Sequence, residues 1–129
     1  MSRRWHVRAA LDTLDGRYPG APLLLAGFSF SARIGLPVGC ADSRIAHLVG
    51  AGVPVSLLST DELAGCIKPK LMVQGVLDQY GPQSMLEAWY AQLSEPKRLS
   101  IIPNADHFFT HQQTELYEAV ISSVREITS

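Results

Sequence analysis

Four short apolar runs, each separated from the next by turn residues and helix-like stretches, decide most of what this chain can become. Pro22 to Ala26, Ile45 to Val49, Lys70 to Gln74 and Arg98 to Ile102 are short, rich in Leu, Ile and Val, and bounded by Gly, Pro and Asp. Those are strand signals. Arg4 to Leu14, a short segment after Ser29, Ser84 to Leu93, and about Gln112 to Thr128 carry apolar residues at helical spacing instead. A further helical turn, capped by Ser59-Thr60-Asp61-Glu62 and running through Ala64, precedes the third strand. Strand and helix alternate throughout. That pattern predicts an α/β fold, a parallel sheet of about four strands with helices on both faces. The unbroken Leu23-Leu24-Leu25-Ala26 suits a strand covered on both sides. Pro37 has no N–H and crowds the carbonyl of Arg33, so the second helix is expected to kink or end there. Leu116, Val120, Val124 and Ile127 give the last helix one apolar stripe.

Composition limits the function classes. A chain of 129 residues makes one domain, residues 1–129, able to bury roughly two-thirds of its unfolded surface. Its 47% hydrophobic and 18% charged residues are an ordinary globular balance with no disorder signature, and a net charge of −1 gives no reason to expect nucleic acid or an anionic membrane as partner. Arg3-Arg4 is too short for a nucleic-acid arm. No apolar run approaches the roughly 18 residues of a membrane span, and the N-terminus lacks a signal-peptide core. Cys40 and Cys66 are too few for a disulfide framework and lack metal-site spacing, so they read as small buried residues in a reducing compartment. A cytoplasmic protein without metal or cofactor is expected.

Ligands of parallel sheets bind beyond the carboxyl ends of the strands. Ser29, Asp78 and His107 each follow a strand directly, which places all three on that rim. Ser29 sits in Gly27-Phe28-Ser29-Phe30-Ser31, a tight elbow between strand and helix, where helix N–H groups and dipole favour negative charge. The elbow is one residue short of G-x-S-x-G, with Ser31 where glycine is usual. Other candidates read differently. Asp106 adjoins His107, but loop neighbours rarely aim at each other; Asp61 reads as a helix cap. His47 lies mid-strand and reads as a core or edge residue, His6 and His111 as surface residues. Ser31 points away from the rim, one turn into its helix. Phe108 and Phe109 are candidates for an acyl pocket or for the core.

Together these residues resemble the C-terminal two-thirds of an α/β-hydrolase, in the branch of small esterases related to dienelactone hydrolases. The similarity runs over nearly the whole chain. It is carried by Leu24-Leu25-Ala26-Gly27-Phe28-Ser29-Phe30, by Val49 to Val55 (V-G-A-G-V-P-V), by Val73-Gln74-Gly75 with Asp78, and by Pro103 with Ala105-Asp106-His107-Phe108-Phe109. The family's triad order is serine, acid, histidine, which implies Ser29, Asp78 and His107. His107 would take the proton as Ser29 attacks an ester carbonyl, and Asp78 would fix the tautomer. The Phe30 backbone N–H would donate to the oxyanion. The expected function is a serine carboxylesterase acting on small, short-chain acyl esters. A weak or inactive remnant with an inherited triad is the alternative, and a thioesterase or acyltransferase would use the same three residues.

The resemblance also implies a lack. Family members carry several strands ahead of the first helix, and a loop among them supplies a second oxyanion N–H. One donor fewer costs about 10²–10³ in turnover. Without those strands Pro22 to Ala26 becomes a bare apolar edge, prone to pair with another chain. A homodimer is therefore expected, this strand meeting its own copy about a twofold axis, with the N-terminal helix and residues near Trp5 in the interface.

Overall fold

The computed structural model describes residues 3–57 and 63–128. Four strands, β1 (Leu23–Phe28), β2 (Ile45–Ala51), β3 (Lys70–Gly75) and β4 (Lys97–Ile102), form one sheet in sequential order. Every pairing is parallel, so all four carboxyl ends share one rim. The helices are α1 (Arg3–Arg17), α2 (Phe30–Ala41), α3 (Gln83–Ala91) and α4 (Gln113–Thr128), with one 3-10 turn at Val55–Leu57. The expected cap at Ser59 to Glu62 lies outside the described residues.

Period-two alternation along the central strands splits the core. Leu48 and Met72 face one side, with Leu36 and Val38 of α2, Leu11 of α1, and Leu86 and Trp89 of α3. Val49, Ala51, Leu71 and Val73 face the other, under Leu116, Ala119 and Val120 of α4. Helices thus cover both faces, as the alternation predicted. β1 is an edge strand among the described residues, and its residues alternate between half-buried and exposed until Gly27.

Two expectations need correcting. α2 does not end at Pro37 but continues to Ala41. The proline costs the helix about 3 kcal/mol, but Leu36 and Val38 on either side of it are fully or nearly fully buried against the sheet. Burying two such side chains contributes about 3–6 kcal/mol, so packing outweighs the missing hydrogen bond. The cysteines differ as well. Cys40, near the end of α2, and Cys66, in the loop before β3, are joined by a disulfide with their Cα atoms 5.9 Å apart. Tertiary folding brings together two residues 26 apart in sequence, which counting cysteines could not foresee. The bridge replaces the reading of Cys40 and Cys66 as two separate small buried residues. No helix among the described residues is long and apolar enough to cross a membrane.

Polar groups lock the lower end of the sheet. The Lys70 side chain is buried, and its ammonium donates to the carbonyls of Cys66 and Ser94, each at 2.8 Å, and of Pro96 at 3.3 Å. Burial pushes the Lys70 pKa down. The Arg44 guanidinium donates to both oxygens of Asp42, at 2.9 and 2.6 Å, and to Asp12 of α1 at 2.7 Å. Those bonds hold the Asp42 carboxyl down at about 2.

Candidate active site

The strand–helix elbow begins with a close approach. A Cβ on Gly27 would lie 2.6 Å from the Ala32 Cα, so only glycine lets α2 fold back over the end of β1. Ser31 occupies an exposed position and needs no such allowance. At the apex Ser29 takes φ 53°, a left-handed conformation uncommon for serine. Its N–H donates to the Ala51 carbonyl at 2.9 Å, pinning the elbow to β2, and its own carbonyl accepts from Ala32 and Arg33. Serine in this place usually caps its helix. Here the side chain makes no cap bond; Ser29 Oγ lies 2.8 Å from His107 Nε2 instead.

The other ring nitrogen, His107 Nδ1, lies 2.8 Å from Asp78 Oδ2. Asp78 and His107 are both buried, at 2% and 5% exposure, so the link is shielded from water. The second carboxylate oxygen, Oδ1, accepts the N–H groups of Tyr80 at 2.8 Å and Gly81 at 3.1 Å. This Asx turn folds the Gly75–Pro82 loop back over the sheet end. The acid and histidine loops are zipped together by Val76 N–H to the Ile102 carbonyl and Leu77 N–H to the Ala105 carbonyl. Serine, histidine and carboxylate, 78 and 29 residues apart along the chain, form one continuous line. A hydroxyl so placed can lose its proton to imidazole as it attacks, while the carboxylate balances the charge.

The remaining candidates stand elsewhere. Asp106 turns into its own loop, accepting the N–H and hydroxyl of Thr110 and the Phe108 N–H. Those bonds, the Thr110 N–H foremost, pull its pKa down. His47 is buried with Nε2 3.3 Å from Ser123 Oγ, and burial lowers its pKa. It lines a hollow of about 330 Å³ at the opposite end of the sheet, whose Arg98 and Glu126 are paired with each other. His6 and His111 are exposed, and Asp61 lies outside the described residues. Phe108 is exposed, whereas Phe109 is buried under α4. Among the described residues no cluster of His, Cys, Asp and Glu could hold a metal ion.

Around Ser29 a cavity of about 260 Å³ is walled by Phe30, Pro54, Leu57, Tyr80, His107 and Phe108. Phe30 opens α2, at the end where helix N–H groups point outward. Two contributors escaped the sequence reading. Gln74, wholly buried, accepts the Val53 N–H at 2.8 Å and donates to the Val53 and Gly81 carbonyls, each at 3.0 Å. It clamps the loop after β2 to the acid loop. The signal was a lone amide in a strand buried on both faces, which must find partners. Tyr80 is the second, its ring centroid 4.6 Å from that of His107.

Comparison with known proteins follows the same lines. A family profile for PhoPQ-activated pathogenicity-related proteins matches residues 42–129, from the turn before β2 to the end of the chain. The chain belongs to that family. Its fold is shared with an α/β-hydrolase-like protein of Agrobacterium tumefaciens, at TM-score 0.85 and 22% identity over 92% of this chain and 57% of that one. A lidless α/β serine hydrolase of Xanthomonas campestris gives 0.81 and 25% over 93% and 54%. A dienelactone hydrolase of Anabaena variabilis gives 0.62 and 25% over 78% and 46%. The resemblance read from the sequence, to hydrolases related to dienelactone hydrolases, therefore holds, and the chain spans about half the length of these proteins. No curated protein sequence matches it.

Proposed function

We propose that the chain carries the catalytic face of a serine esterase acting on small, short-chain acyl esters. One observation carries the reading: two 2.8 Å links, Ser29 Oγ to His107 Nε2 and His107 Nδ1 to Asp78 Oδ2, at the strand ends of a fold shared with serine hydrolases. With Nδ1–H given to Asp78, Nε2 is free of its proton and accepts the Ser29 hydroxyl hydrogen. Ser29 Oγ then bonds to the ester carbonyl carbon, its proton passes to Nε2, and the carbonyl oxygen becomes an oxyanion facing the start of α2. The Phe30 N–H stabilises that charge. Collapse breaks the ester bond, His107 returns the proton to the leaving alcohol, and water repeats the cycle on the acyl-enzyme.

The cavity supports the substrate class. At about 260 Å³ it falls just under the usual range for ligand pockets, roughly 300–1,000 Å³. Apart from Ser29 and His107 its walls are Phe30, Pro54, Leu57, Tyr80 and Phe108, which favour a compact apolar acyl group over a long or charged one. Hydrolysis of nitrophenyl acetate and butyrate, with labelling by a fluorophosphonate, tests the reading. Wild type should turn over and be labelled, and Ser29→Ala should lose at least about 10³-fold in kcat and all labelling. Turnover that survives the substitution would remove Ser29 from the mechanism. A wild type that is neither active nor labelled would favour the non-catalytic alternative.

A further inference from the structure

The His107 ring is enclosed by three aromatic side chains. Ring centroids lie 4.6 Å away for Tyr80, 5.0 Å for Phe108 and 5.3 Å for Phe28. Tyr80 differs from the other two in touching both partners of the His107–Asp78 link. Its N–H donates to Asp78 Oδ1, while Oδ2 is the oxygen that meets His107. The Asx turn that makes the first contact also brings the phenol ring back against the imidazole. Resting on the triad reading above, we propose that Tyr80 is the positioning residue of this site. Its ring blocks rotation of the imidazole out of the Ser29–Asp78 line. It also presents π electrons to the imidazolium formed when Ser29 gives up its proton, well within the roughly 6 Å reach of such contacts. The phenol hydroxyl has no part in this, so the ring alone should suffice.

That division makes the idea testable. Tyr80 is 46% exposed, so trimming its side chain opens no core cavity, and the backbone N–H to Asp78 survives any substitution short of proline. Tyr80→Phe and Tyr80→Leu are compared on nitrophenyl acetate, the smallest ester, and on nitrophenyl butyrate. Tyr80→Phe should stay within about threefold of wild type, while Tyr80→Leu should lose about tenfold or more in kcat on both esters. Fluorophosphonate labelling should slow by a similar factor. If Tyr80 only walls the acyl pocket, the leucine variant will raise KM for butyrate and leave kcat on acetate unchanged. That result, or a Phe variant as impaired as the Leu one, overturns the proposal. A second readout needs no turnover. Proton NMR should show the shared His107–Asp78 hydrogen as a low-field resonance in wild type and Tyr80→Phe, broadened or lost in Tyr80→Leu. Equal signals in all three also overturn it. Inactivity of wild type would defeat the esterase reading and leave this NMR test standing.

Discussion

Gly75, the last residue of β3, opens the acid loop directly against the backbone of the histidine loop, and one methyl group there should separate the two. A Cβ on Gly75 would lie 2.7 Å from both the Ala105 carbonyl carbon and the Asp106 carbonyl oxygen, and nearer still to the Ala105 oxygen. Ordinary contact begins at 3.4 Å, so backbone must move by at least about 0.7 Å (3.4 less 2.7), and by more to clear the Ala105 oxygen. The Ala105 carbonyl cannot yield freely, because it accepts the Leu77 N–H at 2.9 Å. The Asp78 Oδ2 to His107 Nδ1 distance spans the same two loops. Adding at least 0.7 Å to its 2.8 Å gives about 3.5 Å or more, at or beyond the limit of a hydrogen bond. Overpacking of this kind costs about 1–3 kcal/mol, and a misplacement approaching 1 Å costs up to about 10²-fold in rate. Gly75→Ala should therefore lower the melting temperature by roughly 5–10 °C. It should also slow nitrophenyl acetate hydrolysis and fluorophosphonate labelling about 30- to 100-fold. Gly16→Ala is the control. It lies in α1 with nothing within 4 Å of the new methyl and should be neutral or stabilising by about 0.5–1 kcal/mol. A Gly75→Ala protein with wild-type melting and labelling would refute the close-approach argument.

Three other outcomes follow from the same structure. Asp42, held at about 2 by Arg44 against an ordinary 3.8, contributes stability that is present above pH 4 and lost as pH falls towards 2. Between those values wild type should lose melting temperature faster than Asp42→Asn; parallel curves would deny the ion pair its role. The Cys40–Cys66 bridge closes a loop of 26 residues, worth about 3.5 kcal/mol by loop-closure entropy. Dithiothreitol or Cys40→Ala with Cys66→Ala should lower the urea midpoint accordingly, and an unchanged midpoint would mean the thiols are unbridged in solution. Pairing of β1 with its own copy, proposed from the apolar edge strand, predicts twice the 14.1 kDa chain mass in light scattering. A monomer at micromolar concentration would count against it.

What the chain alone determined is its periodicity and its punctuation. Apolar runs of strand length between helical stretches leave a parallel α/β sheet as the economical way to bury Leu48, Val49, Leu71 and Val73 together. Ser29, Asp78 and His107 could be picked out because parallel strands deliver their following loops to one rim, so order along the chain becomes position in space. Relations between distant segments were decided only by the tertiary structure. Pro37 stays helical because Leu36 and Val38 are buried by a sheet that local propensity does not see. Cys40 and Cys66 meet because α2 packs beside the loop before β3. Gln74, Tyr80 and Gly75 matter through partners on loops up to some 30 residues away. Spacing within a segment encodes which face is apolar; contact between segments arises from packing, where a methyl group or a ring edge decides the outcome.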